Sequence, residues 1–304
     1  MNVSCMPAVQ TKYPSLRCNF AMVSPDAVNF IHYSTVRWTV RAAFSSSVAK
    51  GQLLFGMDET RLSFALTKDS KGYPRVLVII PAYNEQECIL NTVASIKAAG
   101  YDYVVINDGS QDGTLRLCRE HDVNILDLPQ NLGIGGAVQA GHKYAQRFGY
   151  DIDIQVDGDG QHDPSYIPEL VKLIEGGASL AIGSRFLVET DGFQSTFMRR
   201  VGIRWLSFLL KLLTGKAVTD PTSGFRACNK DAIDLFCKSY PDDYPEPESI
   251  ALAMKLGLPV MEAPVKMNER QGGRSSIGVL SSVYYMIKVT LAIVLVCWIH
   301  RGDQ

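Results

Sequence analysis

Short apolar runs alternate with segments of helical period through the middle of the chain, and each run stops in polar residues. No other feature constrains the fold as tightly. Val76-Leu77-Val78-Ile79-Ile80 is continuous and apolar, and it ends in Pro81-Ala82-Tyr83-Asn84-Glu85. Such a run fits a strand buried on both faces of a parallel sheet. Cys88, Ile89, Val93 and Ile96 then recur at helical spacing, and Gly100 closes the helix. A second run over 103–106 ends in Asn107-Asp108-Gly109-Ser110, and Asp112 is placed to cap a helix reaching His121. A third run, 123–126, leads into the turn Asn131-Leu132-Gly133-Ile134-Gly135-Gly136, which opens a helix to about Phe148. Ile152, Ile154 and Val156 alternate as a fourth strand. A helix over 164–175 and a strand over 179–182 follow.

Alternation of this kind predicts an α/β fold with an open, mostly parallel sheet flanked by helices. Ligands of such sheets bind outside the carboxyl ends of the strands. Here those ends carry residues 81–85, 107–110, 157–161 and Gly183-Ser184-Arg185, so the chemically useful side chains gather along one edge. The fourth end is the most acidic, with Asp157, Asp159 and Asp163 separated by Gly158 and Gly160. A strand that stops in acids and glycines fills a core poorly. It suits a hard divalent cation, which takes oxygen ligands and shares them with substrate phosphates. Asp163, beside Pro164, is expected to cap the next helix instead.

The chain has 304 residues, 46% of them hydrophobic, enough for one large domain with appendages. Its net charge of −1 gives no pointer to nucleic acid. The seven cysteines form no C-x-x-C pair, which argues for a reducing compartment and against a zinc site or disulfide framework. No leader peptide is visible, and residues 1–72 show no sustained period. They are taken as an extension of unknown role.

The second half is less regular. Residues 197–213 are rich in Trp, Phe and Leu, with Arg199, Arg200, Arg204 and Lys211 and no acid. Asp220-Pro221-Thr222-Ser223-Gly224-Phe225-Arg226 reads as a turn into a strand or loop, and Tyr244-Pro245-Glu246-Pro247-Glu248 precedes a helix to about Leu256. Residues 259–265 read as a strand, and Arg270-Gln271-Gly272-Gly273-Arg274-Ser275-Ser276 as a mobile basic loop. An apolar helix over 277–299 closes the chain.

Seven pieces in order carry a family resemblance: Pro-Ala-Tyr-Asn-Glu at 81, Asn-Asp-Gly-Ser at 107, Asn-Leu-Gly-Ile-Gly-Gly-Ala at 131, Asp-Gly-Asp-Gly-Gln at 157, Gly-Ser-Arg at 183, Asp-Pro-Thr-Ser-Gly-Phe-Arg at 220 and Gly-Gly-Arg-Ser-Ser at 272. The segment resembles an inverting glycosyltransferase of family 2 with a GT-A type fold, most of all the branch of dolichyl-phosphate mannosyltransferases and bacterial polyprenyl-phosphate glycosyltransferases. The resemblance spans residues 73–276 as one catalytic domain. It implies a nucleotide-sugar donor, Mg²⁺ or Mn²⁺, and the pair Asp157 and Asp159 as metal ligands with Gln161 as a further oxygen. It places Pro81, Tyr83, Glu85, Asp108 and Gly133 around the nucleoside, and Arg185 toward the donor phosphates or sugar. The family pattern at 107 is Asp-Asp; this chain has Asn107, which leaves Asp108 as the candidate.

Each assignment has a plainer rival. Glu85 suits a helix N-terminus, Arg185 a surface ion pair, and His162 a surface or supporting place. A sugar-hydroxyl acceptor needs a base, for which Glu246, Glu248 and Asp220 are available, with Glu248 the choice. A lipid phosphate is already largely ionised and needs cations more than a base. Asp220, Arg226, Arg274 and Ser275 are the candidates to meet it. The expected activity is therefore hexose transfer to a polyprenyl phosphate. The alternatives are transfer to a saccharide hydroxyl in cell-surface polysaccharide synthesis, and a catalytically silent nucleotide-sugar-binding scaffold. The absence of a Q-x-x-R-W run argues against processive polymerisation.

The apolar stretch 277–299 would be about 34 Å long as a helix, near one hydrocarbon thickness. Lys288 sits near its middle, where insertion costs about 2.5–3.5 kcal/mol. The reading favoured is a helix on a membrane surface or against a small membrane protein, with the protein at the cytoplasmic face, peripheral or monotopic.

Overall fold

The computed structural model describes residues 74–187, 197–268 and 279–299. The N-terminal extension over 1–72 lies outside the described residues, as does the basic loop with Arg274 and Ser275.

The apolar runs form the strands expected of them: β1 (Val76–Ala82), β2 (Asp102–Asn107), β3 (Ile125–Asp127), β4 (Ile152–Gln155) and β5 (Leu180–Ser184). Between them lie α1 (Ile89–Ala98), α2 (Thr114–Glu120), α3 (Gly133–Arg147) and α4 (Ile167–Glu175). Side chains mark the turns where helices begin. Asp163 Oδ1 accepts from Ser165 N at 2.9 Å in the short 3-10 turn before α4, and Asp112 Oδ1 accepts from Thr114 N at 2.9 Å. On α4, Ile167, Leu170 and Ile174 form the buried stripe.

Next come α5 (Phe197–Thr214), β6 (Arg226–Asn229), α6 (Lys230–Lys238), α7 (Pro245–Lys255), β7 (Val260–Pro264) and α8 (Val279–Ile299). The sheet order is β3-β2-β1-β4-β6-β5-β7. β6 runs antiparallel between β4 and β5, and the remaining pairs are parallel. The reversal follows from the chain path. The turn at 220–224 lies at the carboxyl edge and feeds straight into a strand, which can then only run back. Sequence periodicity leaves α6 unread. It spans two and a half turns, and its start is fixed by Asn229, the last residue of β6, whose Oδ1 accepts from Ala232 N at 3.0 Å.

The two faces of the sheet are filled differently. One carries Val78, Ile80, Val105, Ile152, Ile154, Phe225 and Ala227 into a cluster with the stripes of α1 and α4. The other lies under α3 and α6 and includes Asp153, Gln155, Arg226 and Cys228, each at 2% exposure or less. Cross-strand register pairs Asp153 with Cys228 and Gln155 with Arg226. Cys88, Cys118, Cys228 and Cys297 are buried free thiols, and Cys237 is partly buried.

Candidate active site at the carboxyl edge of the sheet

β1, β2, β4 and β5 all deliver their carboxyl ends to one edge, and the 220–224 turn and the residues after β7 arrive there too. Cross-links hold these ends in register. Asp108 N donates to Ala82 O at 2.9 Å, Asn84 N to Ser110 Oγ at 3.0 Å, and Asn268 N to Gln161 O at 2.9 Å.

The acidic stretch is built around Asp157, whose side chain keeps 38% exposure. Gln155 Nε2 donates to its Oδ1 at 3.3 Å, and its own N–H donates to His162 Nδ1 at 3.0 Å. His162 is 5% exposed and stacks on Phe225 with ring centroids 5.0 Å apart. It is therefore not a surface histidine. It fixes the backbone that carries Asp157. Gly224 packs closely here: a Cβ would sit 3.2 Å from both Asp157 oxygens and would push that carboxylate aside. Asp159 is 3% exposed, and its Oδ1 accepts from Gln161 N at 3.0 Å. Asp157, Asp159 and Gln161 thus share one turn and offer only oxygen donors, the set that fits a hard divalent ion.

On the β1–β2 side, Tyr83 is 45% exposed at the edge and Pro81 is buried at the end of β1. Glu85 lies in the turn ahead of α1: its carbonyl accepts from Cys88 N and Ile89 N, and its N–H donates to Thr114 Oγ1 at 2.9 Å. Asp108 accepts from Leu132 N at 2.6 Å and thereby ties β2 to the turn at Gly133. Burial raises its carboxyl, opposed by the N–H groups of Leu132 and Gly133. Asn107 donates to Asp127 Oδ1 at 2.7 Å. An aspartate there would lose this donor and set a second carboxylate against Asp127, whose other oxygen already pairs with Arg119 at 3.0 Å, so the departure at 107 matches its neighbour. The α3 start is closely packed, as expected: a Cβ on Gly135 would lie 2.0 Å from Pro241 O.

The cationic candidates separate. Arg185 makes a bidentate pair with Asp220, Nε to Oδ2 and Nη2 to Oδ1, both at 2.7 Å, and Nη2 also donates to Thr222 Oγ1 at 2.9 Å. Its side chain is 11% exposed and that of Asp220 is fully buried, so the pair is a joint between β5 and the 220 turn, not a surface ion pair. Arg226 requires a correction. It is 1% exposed, and its guanidinium donates to Ser223 O at 2.7 Å, Ser249 Oγ at 2.8 Å and Glu246 O at 3.4 Å. It braces the base of the site and does not present itself to a phosphate.

The two glutamates also separate. Glu246 lies within the electrostatic reach of Arg226, Asp157 and Arg185, and burial raises its carboxyl above 4.5. Glu248, the choice made from sequence, instead lines a cavity of about 220 Å³ with Asp242, Asp243, Tyr244 and Lys288. Burial raises it, and the charges of Asp242 and Asp243 add to the effect. Which glutamate turns toward the edge depends on the turn at Tyr244, and sequence spacing does not fix it.

Beside the site, α5 and α8 pack together, with Trp205 Nε1 donating to Thr290 Oγ1 at 3.0 Å. Val289, Ile293 and Cys297 form the inward stripe of α8, and Lys288 pairs with Asp243. The outward residues are apolar as well: Met198, Phe208 and Leu212 on α5 and Leu291, Leu295 and Trp298 on α8, each more than half exposed. Arg200, Arg204, Lys211 and Lys216 are exposed along the same segment. Among the described residues no helix is long and apolar enough to cross a membrane.

Comparison with known proteins finds relatives of the sequence and of the fold. The model of glycosyl transferase family 2 matches residues 77–236. A UDP-N-acetylglucosamine–dolichyl-phosphate N-acetylglucosaminyltransferase of Methanococcus voltae is 32% identical, over 63% of this chain and 84% of its own length. A polyprenol monophosphomannose synthase of Mycolicibacterium smegmatis is 31% identical, over 66% of this chain and 80% of its own length. Glucosyl-3-phosphoglycerate synthase from Mycobacterium tuberculosis, solved with Mn²⁺, UDP and phosphoglyceric acid, superposes with a TM-score of 0.57 at 19% identity, covering 80% of this chain and 83% of that one. The last likeness is one of fold.

Proposed function

The chain belongs to glycosyl transferase family 2, and on that premise we propose that it moves a hexose from a nucleotide sugar to a polyprenyl phosphate, with inversion, using Mg²⁺ or Mn²⁺ at Asp157, Asp159 and Gln161. The observation that carries this reading is the adjacency of two features. An all-oxygen turn lies at the sheet edge, and α5, which with α8 builds an apolar, basic-fringed face, reaches the same edge where Ser207 Oγ donates to Thr219 O at 3.5 Å, next to the Asp220–Arg185 pair. Relatives named for transfer to dolichyl phosphate and to a polyprenol lend it support.

A divalent cation would supply positive charge to the departing diphosphate. The chain's own residues prepare the rest. His162 and Gln155 orient Asp157. Pro81, Tyr83, Glu85, Asp108 and Gly133 frame the nucleoside. The Asp220 carboxylate fixes Arg185 at the rim, aimed by its two hydrogen bonds. The acceptor phosphate oxygen attacks the anomeric carbon opposite the diphosphate, and that single displacement inverts the centre. An ionised phosphate needs no base, so the reading asks none of Glu248, which lines the cavity with Asp242, Asp243 and Lys288. Arg274 and Ser275 remain proposed phosphate contacts on the strength of the sequence. The α5–α8 face seats the protein at the cytoplasmic surface of a membrane, where a polyprenyl phosphate resides.

The test is a panel of radiolabelled nucleotide sugars with Mn²⁺ or Mg²⁺ and a polyprenyl phosphate in vesicles. Label in the organic phase is the expected result. Label confined to water-soluble oligosaccharide overturns it in favour of a hydroxyl acceptor. Donor binding without turnover overturns it in favour of a silent binding protein.

A further inference from the structure

A second group of ligating side chains lies beneath the edge, on the polar face of the sheet. β4 turns Asp153 to that face, register places Cys228 of β6 opposite it, and α3 lays His142 over both. His142 Nδ1 stands 2.7 Å from Asp153 Oδ2. All three residues are 1% exposed, and one donor atom from each lies within 4.8 Å of the others.

The hydrogen-bond count at this cluster does not close. Among the described residues His142 Nε2 and Asp153 Oδ1 have no partner, and neither does the nearby Tyr240 hydroxyl. Buried polar atoms almost always find partners. The Asp153 carboxylate holds His142 Nδ1 on one oxygen and meets the Cys228 thiol, so an imidazole nitrogen, a carboxylate and a sulfur converge on one buried point, while the orphaned Nε2 lies across the ring from it. The walls are aromatic: the Phe236 and Tyr240 rings lie 5.3 and 5.1 Å from the imidazole. Cys237 of α6 borders the same cluster, and burial and then the Asp153 charge push its thiol up to about 12.

We propose that His142, Asp153 and Cys228 form a second metal site, closed and structural, for a borderline-soft divalent ion, with Zn²⁺ the best fit. One nitrogen, one carboxylate oxygen and one sulfur are zinc's own ligand types. Magnesium and calcium require oxygen and are excluded by the same set. On binding, the Cys228 S–H bond breaks and its proton leaves to solvent, the imidazole proton moves from Nδ1 to Nε2, and sulfur–metal and nitrogen–metal bonds form, with no change of oxidation state. The ion neutralises the thiolate and carboxylate that the interior otherwise disfavours. The residues come from three elements and are sealed from solvent, so the ion enters as the chain folds. This inference stands independently of the proposed activity, because it uses none of the residues of the edge.

The test uses the full chain refolded with Co²⁺, a zinc surrogate whose thiolate ligation gives a near-ultraviolet charge-transfer band. The expected result is one equivalent of cobalt with that band, abolished by added Zn²⁺ and untouched by Mg²⁺. Cys228→Ala should lose the band. The paired variant His142→Phe with Asp153→Val replaces the polar cluster by apolar residues of similar shape; it should fold without metal and show no band. Asp157→Asn with Asp159→Asn should keep it, since the edge offers no sulfur. Absence of the band in the unaltered chain overturns the site, as does its persistence in Cys228→Ala. Its loss in the Asp157 and Asp159 variant also overturns it, because the band would then not report a site built without the edge.

Discussion

Asp153 and Asp157 stand four positions apart where one strand ends, yet Asp153 is 1% exposed and the Asp157 side chain keeps 38% exposure. The inner carboxylate meets an imidazole and a thiol under two helices. The outer one meets an amide, a backbone approach and solvent. Donor type and access change together along this short length. The open oxygen turn suits a hard ion that shares its coordination with a substrate. The closed nitrogen–oxygen–sulfur cluster suits only a permanent resident. A contact at the edge therefore bears on turnover, and one in the interior bears on stability.

The sharpest way to break that division is Asp159→Asn. The isosteric amide keeps an acceptor for Gln161 N, so the urea midpoint should move by less than about 1 kcal/mol equivalent. Metal-dependent transfer should fall about 10²–10³-fold. Radiolabel transfer beside an unfolding curve reads both, and full activity removes Asp159 from the site. Arg226→Met probes the other side. It strips a buried guanidinium from Ser223, Glu246 and Ser249 and should cost about 3 kcal/mol of stability. A stable variant that fails only in transfer would place Arg226 among the site residues after all.

A finer cut separates the inner pair from a simple packing role. In chelator, Asp153→Val alone leaves the His142 imidazole without its carboxylate and should cost about 1–3 kcal/mol. Adding His142→Phe should recover most of that loss, because removing both buried partners is far cheaper than removing one. If the two losses add, the side chains act independently and the 2.7 Å contact carries no energy.

The division also explains what was legible beforehand. The edge was readable because its residues are consecutive: a strand, then Asp157, Gly158, Asp159 and Gln161. A parallel sheet puts every such ending on one side. The inner cluster was not readable. His142 and Asp153 sit on different elements, Cys228 comes from the later part of the chain, and β6 and α6, which complete its walls, announce themselves by neither length nor period. Arg226 was misplaced for the same reason. The residue after a Ser-Gly-Phe turn looks exposed until β6 is seen to pair with β4 and carry its guanidinium under the sheet. Conversely, Lys288, which sits awkwardly in an apolar stretch, finds Asp243 only once the 241–244 turn is folded.

Glu246 lies on the border of the two regions, with Arg226 on one side and Asp157 on the other, and it gives the smallest and most diagnostic effect. Burial raises its carboxyl above 4.5; the Arg226 guanidinium opposes this, and the Asp157 charge adds to it. A carboxyl whose folded value is raised holds its proton longer in the folded protein than in the unfolded chain. Its contribution is fully present below the unfolded value and is lost as pH rises through the folded one. Glu246→Gln removes that loss. The variant should match the parent protein in acid and exceed it slightly in urea midpoint near neutrality, both measured in chelator. The opposite slope, with the variant weaker near neutrality, would mean that Arg226 and Arg185 dominate. Glu246 would then act as the counter-ion of the interior, not as a strained acid facing the edge.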